Sequence, residues 1–159
     1  MFQYYTIKND ISEGIWDSLV AMFSLHQSIE MIEYFGAYAD ATSRKIARER
    51  IINPKRYFNN LEPEDYTVSM RPLMLKWDSF SFIYSYTLSS EVLSYLENNW
   101  EGDMELESFS IKDDQSRPIF NYHPLERPVI LLGTGELKWA KSIGLELDKC
   151  TILLNNIID

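Results

Sequence analysis

The most constraining feature of the sequence is a run of alternating aromatic and small residues near its middle. Over residues 78–87, Phe80, Phe82, Tyr84 and Tyr86 alternate with positions that are mostly serine. A period of two is the spacing at which side chains return to the same side of a β-strand. The run therefore predicts a strand with one large aromatic face.

Other segments predict further strands and helices that are interleaved irregularly. The apolar positions between 14 and 52 mostly recur at helical intervals, and Ile29, Ile32 and Phe35 nearly follow this rule, so we expect two or more helical pieces there. Pro54, Pro63 and Pro72 indicate a loop-rich passage. The predicted strands are 2–7, 78–87, 104–111, 119–122, 129–132 and 151–154. The other predicted helices begin at Ser89 or Ser90 and at 137.

This order of elements predicts an α+β fold in one domain, 1–159, with a mainly antiparallel sheet and helices packed on one face. A chain of 159 residues with 45% hydrophobic residues can bury a core without a metal or a disulfide. No repeat of fixed period interrupts it.

The sequence predicts a cytoplasmic protein that does not enter a membrane. Its single cysteine, Cys150, can form no intramolecular disulfide, which favours a reducing compartment. The longest apolar runs, such as 129–132, are far shorter than the roughly 20 residues of a membrane-spanning helix. The first residues lack the basic and apolar regions of a secretory signal.

Charge is the strongest guide to the partner. Fifteen Lys and Arg against 24 Asp and Glu give a net charge of −9, which disfavours nucleic acid and favours a basic partner. One stretch, 44–56, holds six basic residues and a single acid. It is open to two interpretations: a phosphate-contacting patch, or a solvated helix face whose cations complement the end of the helix dipole before Pro54.

No motif nominates a catalytic residue, a metal site or a cofactor. His26, His123 and Cys150 have none of the spacings of a zinc site. The pair Gly133 and Gly135 lies between a predicted strand and a predicted helix, but the third glycine of a dinucleotide-binding loop is missing. A tight glycine turn is the alternative explanation. We therefore expect a protein that is not an enzyme.

Two acidic segments are the candidate partner-binding residues. Trp100 lies in a polar turn, and with Asp103, Glu105 and Glu107 it predicts an acidic and aromatic patch that attracts a basic partner. The alternative for Trp100 is that it folds back over the sheet edge. Glu62, Glu64 and Asp65 form the second acidic cluster.

Part of the chain resembles a family of immunity proteins of bacterial polymorphic toxin systems, the myxobacterial type. The resemblance begins at Tyr4-Tyr5, with the strand and Asn-Asp turn that follow, and is stronger over residues 77–132. It includes the helix-forming element Thr87-Leu-Ser-Ser-Glu and the aromatic segment Pro118-Ile-Phe-Asn-Tyr-His-Pro-Leu125. It implies a cytoplasmic antidote that binds and blocks a co-encoded toxin and that has no catalytic residues.

The leading hypothesis is thus an immunity protein that neutralises a basic toxin by stoichiometric binding; the oligomeric state stays open. One alternative is a phage or mobile-element inhibitor of a host nuclease that imitates nucleic acid. Another is a small nucleotide-binding enzyme that uses Gly133 to Gly135.

Overall fold

The computed structural model describes residues 1–25, 27–38, 41–54, 56–74, 77–98, 108–123 and 126–150; for 34–38, 41–44, 47, 70–74 and 77–80 it describes the backbone alone. In chain order the elements are β1 (Phe2–Ile7), α1 (Glu13–Met22), β2 (Ser28–Tyr38), α2 (Ala41–Ile52), β3 (Asp65–Met74), β4 (Trp77–Thr87), α3 (Ser90–Asn98), β5 (Ser108–Lys112), β6 (Pro118–Tyr122), β7 (Val129–Gly133), α4 (Leu137–Ser142) and β8 (Leu147–Lys149).

The described strands form one eight-stranded sheet in the order β3-β4-β2-β5-β6-β7-β1-β8, and every pairing is antiparallel. The longest ladder joins β2 to β4, from Ser28 opposite Thr87 to Tyr38 opposite Trp77. The predicted α+β fold with a mainly antiparallel sheet is therefore confirmed.

The helices cover one face of this sheet, which carries the core. The aromatic face predicted for β4 points into the core, with Phe82 and Tyr84 fully buried and Tyr86 2% exposed. Trp16 of α1 packs on Phe109 and Phe120, which come from β5 and β6. Its indole Nε1 donates a hydrogen bond of 2.7 Å to the carbonyl of Leu96 in α3, so the two helices are fixed to each other as well as to the sheet.

Capping residues explain where two helices begin. The Ser12 side chain accepts a hydrogen bond from the Ile15 amide at the start of α1, and Ser89 Oγ accepts one from Val92 at the start of α3. Serine at this position satisfies an amide that has no partner within the helix. One of the two predicted caps of α3 is thus identified as Ser89.

The prediction of helix for residues 29–35 is wrong, because this segment is β2. Ile29 and Met31 are fully buried, and they share the core face of β2 with Glu33. This alternation is hard to recognise in the sequence because Ile32, on the other face, is also apolar. Apolar residues on both faces imitate helical spacing over so short a stretch. The helical piece that does follow is α2, from Ala41 to Ile52.

The loop predicted around Pro72 is also wrong in part, because Pro72 lies within β3. This strand is at the end of the sheet, where a residue without an amide hydrogen is tolerated. The short strand β8 was not predicted. The predicted strand 151–154 lies outside the described residues. The first part of the predicted strand 104–111 does as well, and the rest of that strand forms β5.

Candidate protein-binding surfaces

The first predicted patch, Trp100, Asp103, Glu105 and Glu107, lies outside the described residues. The same holds for His26. These assignments stay predictions from the sequence.

The second predicted cluster lies on the surface directly before and at the start of β3. Glu62, Glu64 and Asp65 are all exposed. Glu62 forms an ion pair with Arg56, and Glu64 accepts a hydrogen bond from the hydroxyl of Thr87. Two of the three carboxylates therefore have partners within the chain, and the negative charge that this cluster offers to another molecule is smaller than its sequence indicates.

A cleft of about 310 Å³ opens beside this cluster. Its lining combines polar and apolar side chains, namely Asn53, Pro54, Arg56, Leu61, Glu62, Pro63 and Tyr86. Phe58 supports the cleft from below, since its ring packs edge-on against Tyr86 with centroids 4.8 Å apart and against Tyr95 at 5.2 Å. This volume lies at the lower end of the range of small-molecule pockets.

A cluster of tyrosines near the cleft surrounds a partly buried acid, Glu33. The ring of Tyr84 packs against Tyr57 and Tyr66, both with centroids 5.0 Å away. Glu33 is 13% exposed and pairs with Arg50 of α2, with 3.1 Å between Oε1 and Nε. The Tyr66 hydroxyl donates to the Arg50 carbonyl at 3.1 Å. These contacts attach the end of α2 to the sheet.

The tyrosines of this cluster are held in their neutral form. Burial, together with the negative charge of Glu33, raises the pKa of Tyr57. Burial, with smaller contributions from Tyr84 and Glu33, raises the pKa of Tyr66 to about 12, and burial beside Tyr84 raises the pKa of Tyr86 to about 12. A phenol with a raised pKa is a poor nucleophile and a poor base near neutral pH. The cluster is therefore built for packing and hydrogen bonding.

Three of the six basic residues in the stretch 44–56 form ion pairs with acids. Arg50 pairs with Glu33, Arg56 with Glu62, and Lys45 with Glu49 one turn along α2 at 3.8 Å. Paired cations attract phosphate less than free ones do. This arrangement agrees with the interpretation of the stretch as a solvated helix face.

The helices α1 and α3 form an acidic surface that the sequence analysis did not identify. Both are fixed side by side through Trp16, and neither contains a lysine or an arginine. Their exposed carboxylates are Glu13, Asp17, Glu91 and Glu97. We call these four residues the acidic helix pair. Some 70 residues separate the two helices in the sequence, so no local motif indicates that they are neighbours.

The helix dipole explains only two of the four acidic residues in the acidic helix pair. Glu13 and Glu91 lie in first turns, where a negative charge is stabilised by the helix dipole. Glu97 lies in the last turn of α3, where the dipole disfavours an acid. The helix dipole therefore does not explain the acid at position 97.

In the glycine loop after β7, a backbone amide already binds the carboxylate of Glu136. The amide of Gly133 donates to Glu136 Oε2 at 2.6 Å, and the helix that follows, α4, has six residues. A carboxylate at this amide repels a phosphate group. The geometry favours the glycine-turn explanation over the nucleotide-loop explanation.

Within the part of the chain that the structure describes, no group of three or more His, Cys, Asp or Glu side chains is placed to hold a metal ion. In that same part, no helix combines the length and hydrophobicity needed to cross a membrane. Cys150 is partly buried, and its Sγ lies 3.1 Å from Thr6 Oγ1.

Comparison of the chain with family models, curated proteins and solved structures gives no match.

Proposed function

We propose that this protein is a cytoplasmic immunity protein that binds a basic protein toxin stoichiometrically and blocks it. The observation that carries the proposal is the acidic helix pair, in which four exposed carboxylates on two adjoining helices face no lysine or arginine of either helix. The partial resemblance of the sequence to an immunity-protein family supports the same role.

The electrostatics of the whole chain favour such a partner. A net charge of −9 attracts a cationic protein over a distance and speeds its association. Toxins that act on nucleic acids present basic clefts to their substrate, and an acidic surface can occupy such a cleft. A carboxylate at the rim of the interface contributes mainly to the association rate.

Charge reversal at the acidic helix pair tests the proposal. The cognate toxin is first identified as the protein encoded beside this chain, and its binding is measured by surface plasmon resonance at several salt concentrations. We expect D17K/E97K to lower the association rate about tenfold and to weaken its salt dependence, because the steering field is reduced. In a host that expresses the toxin, growth protection should fall in parallel.

Matched controls separate this surface from the others. E146K/D148K changes the charge by the same amount next to and within β8 and should lower the association rate by less than threefold. E105K/E107K and E64K/D65K test the two segments predicted from the sequence. If D17K/E97K binds as the parent chain does while one of these variants loses steering, the acidic helix pair is the wrong surface; a toxin without affinity for the parent chain contradicts the proposed function.

The same carboxylates favour one alternative, an inhibitor that imitates nucleic acid in the active site of a host nuclease. The two functions differ in the partner. An inhibitor of this kind should block a host nuclease in a purified cleavage assay and should leave growth in the presence of the neighbouring toxin unprotected.

A further inference from the structure

The outer side of β3 is an open sheet edge. β3 is the first strand in the order of the sheet, and no described strand pairs with its outer side. It runs for ten residues, from Asp65 to Met74, which is long for an edge strand. An edge of this length presents a row of backbone groups that another extended chain can pair with.

The middle of this edge lacks the usual protection against pairing, whereas Pro72 and the bulge between Pro72 and Met74 interrupt its C-terminal end. Positions 66–70 carry no charged residue, and Thr67, Val68 and Ser69 are exposed. Edge strands that must stay single are usually short or carry charges. The opposite edge of the sheet shows both devices, because β8 has three residues and two of them are Asp148 and Lys149.

The sequence of β3 is complementary to itself. If two copies pair antiparallel around a two-fold axis at Val68, position 65 of each copy lies opposite position 71 of the other, so that an aspartate faces an arginine twice. A two-fold axis normal to the sheet keeps the core faces of the two copies on the same side. Residues that lie opposite each other across the pair then point to the same face, so their numbers are both odd or both even. Among the registers that satisfy this condition, only the one centred on Val68 sets Arg71 opposite an acidic residue.

Apolar surface lies at the same axis. Val68 is on the core face, opposite the fully buried Phe82, yet it is 36% exposed because no strand follows β3. Pairing would bring it against Val68 of the second copy. The end of α2, which carries the exposed Ile51 and Ile52, is attached to β3 by the hydrogen bond from the Tyr66 hydroxyl to the Arg50 carbonyl.

We propose that a second copy of this chain occupies the β3 edge, so that two sheets join into one continuous sheet through an antiparallel β3–β3 pair centred on Val68. The opposite charges at positions 65 and 71 select this register, since oppositely charged residues that face each other across strands stabilise the pair and like charges destabilise it. The interface uses none of the four residues of the acidic helix pair and does not depend on the proposed function.

A charge swap tests the register. Sedimentation velocity over a range of concentrations gives the dissociation constant of the dimer for the parent chain and for D65R, R71D and D65R/R71D. Each single variant should raise the dissociation constant about tenfold, because it replaces two attractive contacts with two repulsive ones. The double variant restores both pairs with reversed sign and should return to within about threefold of the parent chain. D148R, at the opposite edge, is the matched control and should leave the constant unchanged.

Cross-linking tests the same axis without relying on these charges. Residues directly opposite each other in an antiparallel pair have Cα atoms about 4.5 to 5.5 Å apart, which is within the range of a disulfide. V68C in a C150S background should therefore form a covalent dimer on mild oxidation, whereas D148C in the same background should not. A parent chain that stays monomeric at about 500 μM overturns the proposal, and so does a dimer that the single charge variants do not weaken or that V68C does not cross-link.

Discussion

In the middle of the sheet, β5 and β6 pack Phe109 and Phe120 beneath Trp16, whereas at the β3 end of the sheet β3 and β4 pack tyrosines around the pair of Glu33 and Arg50. The middle of the sheet is held mainly by burial of apolar surface, which responds little to charge or pH. The β3 end depends on hydrogen bonds and one partly buried ion pair, and their loss leaves polar groups without partners. The difference indicates that the two regions should fail under different perturbations.

The largest effect is expected from W16A. Trp16 is 1% exposed, and its ring contacts Phe23, Phe109 and Phe120. Removal of a buried indole should lower the free energy of unfolding by about 4 kcal/mol. Chemical denaturation followed by circular dichroism measures this. W16F keeps most of the packing and should cost less than half as much; equal losses in both variants would mean that the hydrogen bond to Leu96 matters more than the burial.

R50A should have the next largest effect, at the β3 end of the sheet. It leaves Glu33 partly buried, with neither carboxylate oxygen paired, since the buried Oε2 already has no hydrogen-bond partner among the described residues. We expect a loss of about 2 kcal/mol in the free energy of unfolding. K45A is the control, because its pair with Glu49 is exposed, and it should cost less than 0.5 kcal/mol, about the worth of a surface pair.

The sequence allowed prediction of the elements whose pattern is local. The alternation in β4 and the serine cap of α3 depend on neighbouring residues alone, and both are confirmed. β2 was mistaken for helix because Ile32 adds an apolar residue on its second face, and β3 was missed because Pro72 indicates a loop unless its edge position is known. The acidic helix pair depends on the contact of α1 with α3, which is a property of the tertiary structure.

Y86F should have a smaller effect of the opposite sign. The Tyr86 hydroxyl is buried and finds no hydrogen-bond partner in the described part of the chain. Replacing it with hydrogen removes an unsatisfied polar group, so the free energy of unfolding should rise by about 1 kcal/mol. Y66F removes a hydroxyl that does donate, to the Arg50 carbonyl, and should instead lower stability by about 1 kcal/mol. If both variants are destabilised alike, the two hydroxyls are equally well satisfied.

The raised pKa values of Tyr66 and Tyr86 should leave stability unchanged near neutral pH and lower it in alkali. Burial raises the pKa of Tyr66 and Tyr86 from 10.0 to about 12, so above pH 10 the unfolded chain releases protons that the folded chain keeps. Stability from these groups is complete below pH 10 and is lost as the pH rises toward 12. Denaturation midpoints between pH 8 and 12 measure the loss, and the double variant Y66F/Y86F should reduce it. A parent chain with a constant midpoint over this range would contradict the raised pKa values.

The pairing of β1 has a consequence for folding during synthesis. β1 pairs with β7 and β8, and the Cys150 amide donates to the Tyr4 carbonyl, so β1 is synthesised well before the strands with which it pairs. Ile7, fully buried in the folded molecule, therefore stays exposed until β7 and β8 have been synthesised. A chaperone that holds the nascent segment containing β1 should raise the yield of folded chains.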